Sequence, residues 1–148
     1  MNSIATALLM ISSIQSTGRP AAAPPDPCGL LTKAEVEQVI GRLKSAPKAG
    51  SEGPVPWCGY QFANGRDEFE VWVFPADGMR RARLTAKQPV PISGLGEEAF
   101  LNRGAFGLDY LDLYIKKAAV TIKLAIKSSA GDEQKLRTLA ARAVGRLP

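Results

Sequence analysis

The stretch LDYLDLYIKKAAVTIKLAIK, residues 108–127, decides the fold of this chain. In its second half an apolar residue stands at every other position from Val120 to Ile126. The first half alternates in the same way between Leu111 and Ile115. A period of two is typical of a strand with one buried face. The short KKAA segment between the halves predicts a turn, and the whole stretch therefore predicts an antiparallel hairpin.

Three upstream segments extend this pattern. The segments WCGYQF, residues 57–62, and EFEVWVF, residues 68–74, flank an Asn-Gly turn, which is the strongest short hairpin signal. EEAFLN, residues 97–102, is predicted as a further short strand. Because strands joined by tight turns pair antiparallel, we predict a mostly antiparallel sheet of about five strands.

Helical spacing of apolar residues marks segments on both sides of these strands. One buried sheet face must be covered, so we expect these helices to pack on it, which defines an α+β class with two or three helices. We also expect one disulfide in this fold. Thr32 and Glu35 have the capping-box spacing that starts a helix. The predicted helices span residues 33–41, 78–87 and 133–147, and the residues predicted to cap them are Thr32, Asp77 and Asp132.

The N-terminal part of the chain is organised differently. Residues 1–23 contain an apolar run too short to span a bilayer, which is typical of a signal or leader segment. No Lys or Arg precedes that run, and a disordered or buried N-terminal arm is the alternative. Residues 24–27 are predicted as a Pro-rich linker and residues 28–148 as a single α+β domain without a transmembrane span. Residues 42–56 carry several prolines and glycines and are predicted as a long loop.

Composition excludes several kinds of chemistry. The chain of 148 residues contains no histidine, which removes Ser-His and Cys-His nucleophilic catalysis. With two cysteines and no histidine, a structural zinc site lacks ligands. A net charge of +5 is modest and favours no specific nucleic-acid partner, although weak contact with anionic envelope polymers is compatible with it. We therefore predict no cofactor, no metal site and no catalytic residues.

Cys28 could be a lipid attachment point, a metal ligand, a nucleophile or half of a disulfide. The residues before it, Pro25 to Pro27, do not form a lipoprotein box, and a lone nucleophile would lack a base. An even cysteine count and a secretory-type leader favour a disulfide with Cys58, which would lie on the inward face of its strand. Two buried thiols in a cytosolic protein are the alternative.

Several segments together resemble a group of small secreted bacterial proteins and lipoproteins of unknown function. They are PCGLLTKAEVEQVIG, CGYQF, VPISGLGEEAF and LYIKKAAVTIKLAI, in that order. The resemblance implies a secreted or envelope location and a bond between Cys28 and Cys58, and it brings no catalytic residues. The leader departs from the group because it lacks the lipoprotein box.

Two surfaces are candidate sites. Arg80, Arg83 and Lys87 would share one side of the predicted 78–87 helix and could dock an anionic partner, although a solvated helix face is the more common arrangement. A candidate ligand groove is formed by Trp72, Phe74 and Tyr114, although core packing under a helix is the more common role of such residues.

The lysines of the 108–127 hairpin are interpreted as charges at its tip and along an edge strand, and Lys123 is one of them. We expect a non-enzymatic secreted or cell-envelope binding module whose partner is a protein or a small molecule. One alternative is a purely structural or interaction role. The other is an enzyme or enzyme accessory using carboxylate, lysine or tyrosine chemistry, which a buried carboxylate with a shifted pKa would favour.

Overall fold

The fold is known from a computed structural model that describes residues 23–104, 110–127 and 133–148. All but the last residue of the predicted 1–23 leader lie outside this range, as does the predicted cap Asp132.

The described residues form one antiparallel sheet of seven strands in the order β1-β2-β3-β7-β6-β5-β4. The 108–127 stretch supplies β6 and β7, which pair as predicted and occupy the middle of the sheet together with β3. The strands are β1 Lys48–Glu52, β2 Val55–Gln61, β3 Glu68–Pro75, β4 Val90–Ile92, β5 Glu98–Arg103, β6 Tyr110–Lys117 and β7 Val120–Lys127.

The prediction of about five strands was wrong, because both edge strands were missed. Strand β1 lies within the predicted 42–56 loop and is exposed at most of its positions, so its sequence has no alternation to detect. The left-handed conformation of Gly53, with φ of 56°, turns the chain back into β2. Strand β4 contains Pro91, which is tolerated because β4 pairs on one side alone.

The described residues contain four helices, which are α1 Pro27–Leu30, α2 Lys33–Val39, α3 Gly78–Thr85 and α4 Glu133–Gly145. The predicted capping box is confirmed at α2, where Thr32 Oγ1 accepts from Glu35 N and Glu35 Oε2 accepts from Thr32 N. The short helix α1 was not predicted; it begins inside the predicted 24–27 linker because proline is well suited to the first position of a helix.

Three of these helices, α1, α2 and α4, cover one face of the sheet and form the main core with it. The inward positions follow the predicted alternation, since the core includes Phe69, Val71 and Val73 of β3 and the alternate apolar residues of β6 and β7. Helix α4 contributes Leu136, Leu139, Ala140 and Ala143, which are all fully buried.

The expectation that all helices cover one face was wrong, because α3 packs on the opposite face. There Met79 and Ala82 of α3 contact Phe100 and the partly buried Tyr114 in a second, smaller apolar cluster. Helix α3 ends at Thr85, and Ala86 already has an extended backbone. The helix was predicted to reach Lys87, but helices usually end at or before the residue that precedes a proline, which here is Gln88.

The disulfide between Cys28 and Cys58 is present and joins α1 to β2, with a Cα–Cα distance of 5.1 Å. The bond encloses α2 and β1 in a loop with a sequence separation of 30. Closing a loop of this size contributes about 3.6 kcal/mol in the chain-entropy model.

The C-terminal end of α4 is fastened to two other parts of the domain. Arg146 donates to the Leu30 carbonyl and to both carboxylate oxygens of Glu35. This pairing, together with the Thr32 backbone N–H, lowers the pKa of Glu35 to about 2. Lys117 at the end of β6 donates to the carbonyls of Val144 and Leu147, which are among the last of the chain.

Candidate functional site

A cavity of about 780 Å³ lies on the second face of the sheet, between α3 and the β1–β2 hairpin. Its floor and walls come from the three central strands β3, β7 and β6, and it is partly open to solvent. We call it the aromatic cavity. Its lining is Glu52, Val55, Glu70, Trp72, Phe74, Gly78, Arg81, Ala82, Thr85, Tyr110, Asp112, Tyr114, Lys123 and Ala125.

The register of the strands arranges this lining in rows across the sheet. Trp72 pairs with Lys123, and Lys123 pairs with Tyr114. In the next row Ala125 lies between Glu70 and Asp112. Since neighbouring strands are about 4.8 Å apart, the β3 and β6 walls are separated by about 10 Å at the floor.

The two walls are aromatic, and neighbouring groups hold each in place. On β3 the rings of Trp72 and Phe74 are nearly parallel, with centroids 6.3 Å apart, and the indole N–H donates to Glu70 Oε2. On β6 the ring of Tyr114 stacks on Phe100 with a centroid distance of 5.0 Å. A ligand entering between the walls would therefore meet surfaces that are already positioned.

Lys123 lies on the floor between these walls and is 8% exposed. Its Nζ is 4.6 Å from the centroid of the Trp72 ring, which is the geometry of a cation–π contact. Within the described part of the chain the ammonium makes no ion pair. The expectation that Lys123 is an exposed edge-strand charge was wrong, because β7 lies in the middle of the sheet.

Asp112 is the most deeply buried charged group of the cavity, at 1% exposure. No described residue donates a hydrogen bond to its Oδ2, and the neighbouring Asn102 Oδ1 also lacks a described partner. Burial raises the pKa of Asp112 to about 6, with a further rise from Glu70 and an opposing effect from Lys123. Burial and the nearby Asp112 also raise the pKa of Tyr114.

Helix α3 forms the roof of the cavity. Thr121 Oγ1 on β7 accepts from the backbone N–H of Met79 and donates to the Ala76 carbonyl, which fixes the start of the helix. Gly78 permits this close approach, because a Cβ there would lie 2.5 Å from the Cβ of Phe74. Asp77 makes no side-chain cap, contrary to the sequence prediction, and instead pairs with Arg81 one turn later.

The structure brings Trp72, Phe74 and Tyr114, the three residues of the candidate groove, to one cavity. The candidate anionic-partner face is less regular than predicted. Arg80 is exposed on α3, but Arg83 pairs with Glu98 and lies over the ring of Phe100. Lys87 lies beyond the end of the helix, so the three cations do not form a row with helical spacing.

Asp112, Glu70 and Lys123 were not predicted as site residues. The alternation did place all three on the polar face of their strands. It could not show that β3 lies beside β7, and this pairing is what brings Glu70 close to Lys123 and Asp112.

Within residues 23–104, 110–127 and 133–148, no group of His, Cys, Asp and Glu side chains is arranged to hold a metal ion. None of the helices in the described ranges is long and apolar enough to cross a membrane. Comparison with known proteins found no matching family model, no matching curated protein and no matching solved structure.

Proposed function

We propose that this chain is a non-enzymatic binding module of the secreted or cell-envelope class, which holds a small ligand in the aromatic cavity. The observation that carries the proposal is the cavity itself. Its volume of about 780 Å³ is typical of small-molecule sites, which combine mostly apolar and aromatic walls with a few polar groups. Trp72, Phe74 and Tyr114 supply the walls, and Asp112 and Lys123 supply the polar groups.

The proposed location is supported by three observations on the chain. Disulfides such as Cys28–Cys58 persist mainly in oxidising compartments. Residues 1–23 have the composition of a leader segment, and the resemblance to small secreted bacterial proteins implies the same location.

The proposal is tested by filling the cavity. Ala125→Leu would extend a side chain from the floor into the space between Glu70 and Asp112. The matched control is Ala49→Leu, the same change at an exposed position of β1. The parent protein and both variants are incubated with an extract of small molecules, and the retained compounds are identified by native mass spectrometry.

We expect the parent and Ala49→Leu to retain the same compound and Ala125→Leu to lose it. Circular dichroism and a urea melt show whether each variant is folded. If folded Ala125→Leu retains the compound as the parent does, or if the parent retains none, the binding proposal is wrong.

One observation favours the enzyme alternative, in which Asp112 would transfer a proton. A buried carboxylate with a raised pKa in a cavity is a common feature of catalytic sites. We favour the binding module over the enzyme because Asp112 forms no hydrogen bond with Lys123, Tyr114 or another described residue. Such a partner would be needed as a nucleophile that Asp112 activates or as a group that passes its proton on. Conversion of the retained compound by the parent, and not by Asp112→Asn, would support the enzyme instead.

A further inference from the structure

The charged side chains that line the aromatic cavity, apart from those in ion pairs, carry more negative than positive charge. Its carboxylates are Glu52, Glu70 and Asp112, and its cations are Arg81 and Lys123. Arg81 is neutralised by Asp77, which does not line the cavity. Within the described lining, Lys123 is therefore the one cation that can balance these carboxylates. One positive charge does not neutralise three carboxylates, so the cavity keeps an excess of negative charge.

The same cavity already holds one ammonium group against an aromatic ring. Lys123 Nζ lies over the face of Trp72, without an ion pair among the described residues, and the residue as a whole is 8% exposed. The negative face of an aromatic ring attracts a cation most strongly when water is excluded. The carboxylates nearby contribute to the same attraction, because their field is less screened than it would be in water.

Two carboxylates flank the neighbouring row of the cavity lining. There the small side chain of Ala125 separates Glu70 from Asp112 across about two strand spacings, or roughly 10 Å. One oxygen of Glu70 accepts from Trp72, and Oδ2 of Asp112 has no described partner. A buried acceptor without a donor costs free energy, and a donor supplied by a ligand would recover it.

We propose that the ligand of the aromatic cavity is a protonated amine with an apolar, ring-sized body. The amine lies over Ala125 and donates to Asp112 and Glu70, and the body packs between Trp72, Phe74 and Tyr114. This inference rests on the proposed binding function and specifies its ligand class. An anionic ligand would meet three carboxylates, and a neutral one would leave the excess charge uncompensated.

The experiment uses three probes of one shape and different charge: 2-naphthylmethylamine, 2-naphthylmethanol and 2-naphthoate. Their dissociation constants are measured by isothermal titration calorimetry at neutral pH. We expect the amine to bind at least about tenfold more tightly than the alcohol, and the carboxylate to bind weakest, because the site favours one charge sign.

Two variants test the assigned contacts. Asp112→Asn should weaken amine binding at least about tenfold and leave the alcohol nearly unchanged, since one partner of a buried charge pair is lost. Lys123→Met should strengthen amine binding at least about threefold, since a neighbouring like charge is removed. The controls are Glu37→Gln and Lys44→Met, which make the same kinds of change away from the cavity and should alter neither constant.

The outcomes separate this proposal from the binding function on which it rests. If all three probes bind equally and Ala125→Leu abolishes their binding, the assignment of an amine ligand is wrong and the proposed binding function is supported. The assignment of an amine ligand is also wrong if Asp112→Asn leaves amine binding unchanged, or if Lys123→Met weakens it. If no probe binds, the assignment of an amine ligand is likewise wrong. The binding function itself is then tested by whether the parent retains a compound from the extract.

Discussion

Replacing Asp112 with asparagine should favour the folded protein more at neutral pH than at acidic pH, even though it removes a charged group from the candidate site. The pKa of Asp112 is raised from 3.8 to about 6 by burial, so the folded state binds its proton more tightly than the unfolded chain does. Between these two pKa values the folded state keeps the proton and the unfolded chain has lost it. The stability of the parent therefore falls as the pH rises through this window.

The magnitude follows from the size of the shift. A difference of about 2 pKa units at 1.36 kcal/mol each gives a cost of about 3 kcal/mol once the pH is above the folded-state pKa. At about pH 4 the cost is roughly 0.5 kcal/mol, because Asp112 is then protonated in the folded state and only partly ionised in the unfolded chain. Asparagine does not titrate, so the stability of Asp112→Asn relative to the parent should increase by about 2 kcal/mol between pH 4 and pH 7.5.

The assay is a set of urea melts of parent and variant at both pH values, with the free energy of unfolding extrapolated to water. Comparing the two pH values cancels any fixed cost of placing an amide beside Asn102. Glu52→Gln is the control, since Glu52 is an exposed carboxylate of the same cavity and surface changes usually alter stability by less than about 0.5 kcal/mol. A stability difference between Asp112→Asn and the parent that is the same at both pH values would refute the reasoning, because it would mean that folding does not perturb Asp112.

Three further predictions concern the cap of helix α2, the disulfide and the basic residues near α3. Thr32→Ala should lower the free energy of unfolding by about 1 kcal/mol in urea melts, because the cap of α2 is lost; an unchanged midpoint would contradict this. Reduction and alkylation of Cys28 and Cys58 should lower stability by up to about 3.6 kcal/mol, and two thiols that react freely with alkylating agent before reduction, shown by intact mass, would contradict the bond. The double variant Arg80→Glu and Lys87→Glu should bind anionic liposomes as weakly as the parent at every salt concentration; a strong, salt-sensitive difference would show that this face docks an anionic partner.

The central part of the fold could be predicted because its strands place apolar side chains at alternate positions, all facing the main core. The alternation of β3, β6 and β7 and the capping box of α2 are local signals, and the structure confirms them. The edge strands could not be predicted in this way. Strand β1 buries little on either face, and β4 has three residues and contains a proline.

The candidate site was predictable only in part, for a different reason. Trp72, Phe74 and Tyr114 could be recognised as aromatic residues on the outward faces of strands. The neighbours of each strand in the sheet are set by pairing between distant segments, such as β3 with β7. The burial of Asp112 and Lys123 depends on that pairing and on α3 crossing the second face, so no local pattern could indicate it.

The disulfide at the start of the domain also determines how the protein responds to mechanical force. Tension applied through the segment before Cys28 passes across the covalent bond directly to Cys58 in β2. The backbone of helix α2 and strand β1, which lie between the two cysteines, cannot be extended while the bond is intact. In a pulling experiment, the enclosed segment with its separation of 30 would add roughly 100 Å of extension, but only after the bond is reduced. An oxidised domain tethered by its N-terminal segment would therefore lengthen less under load than its chain length allows.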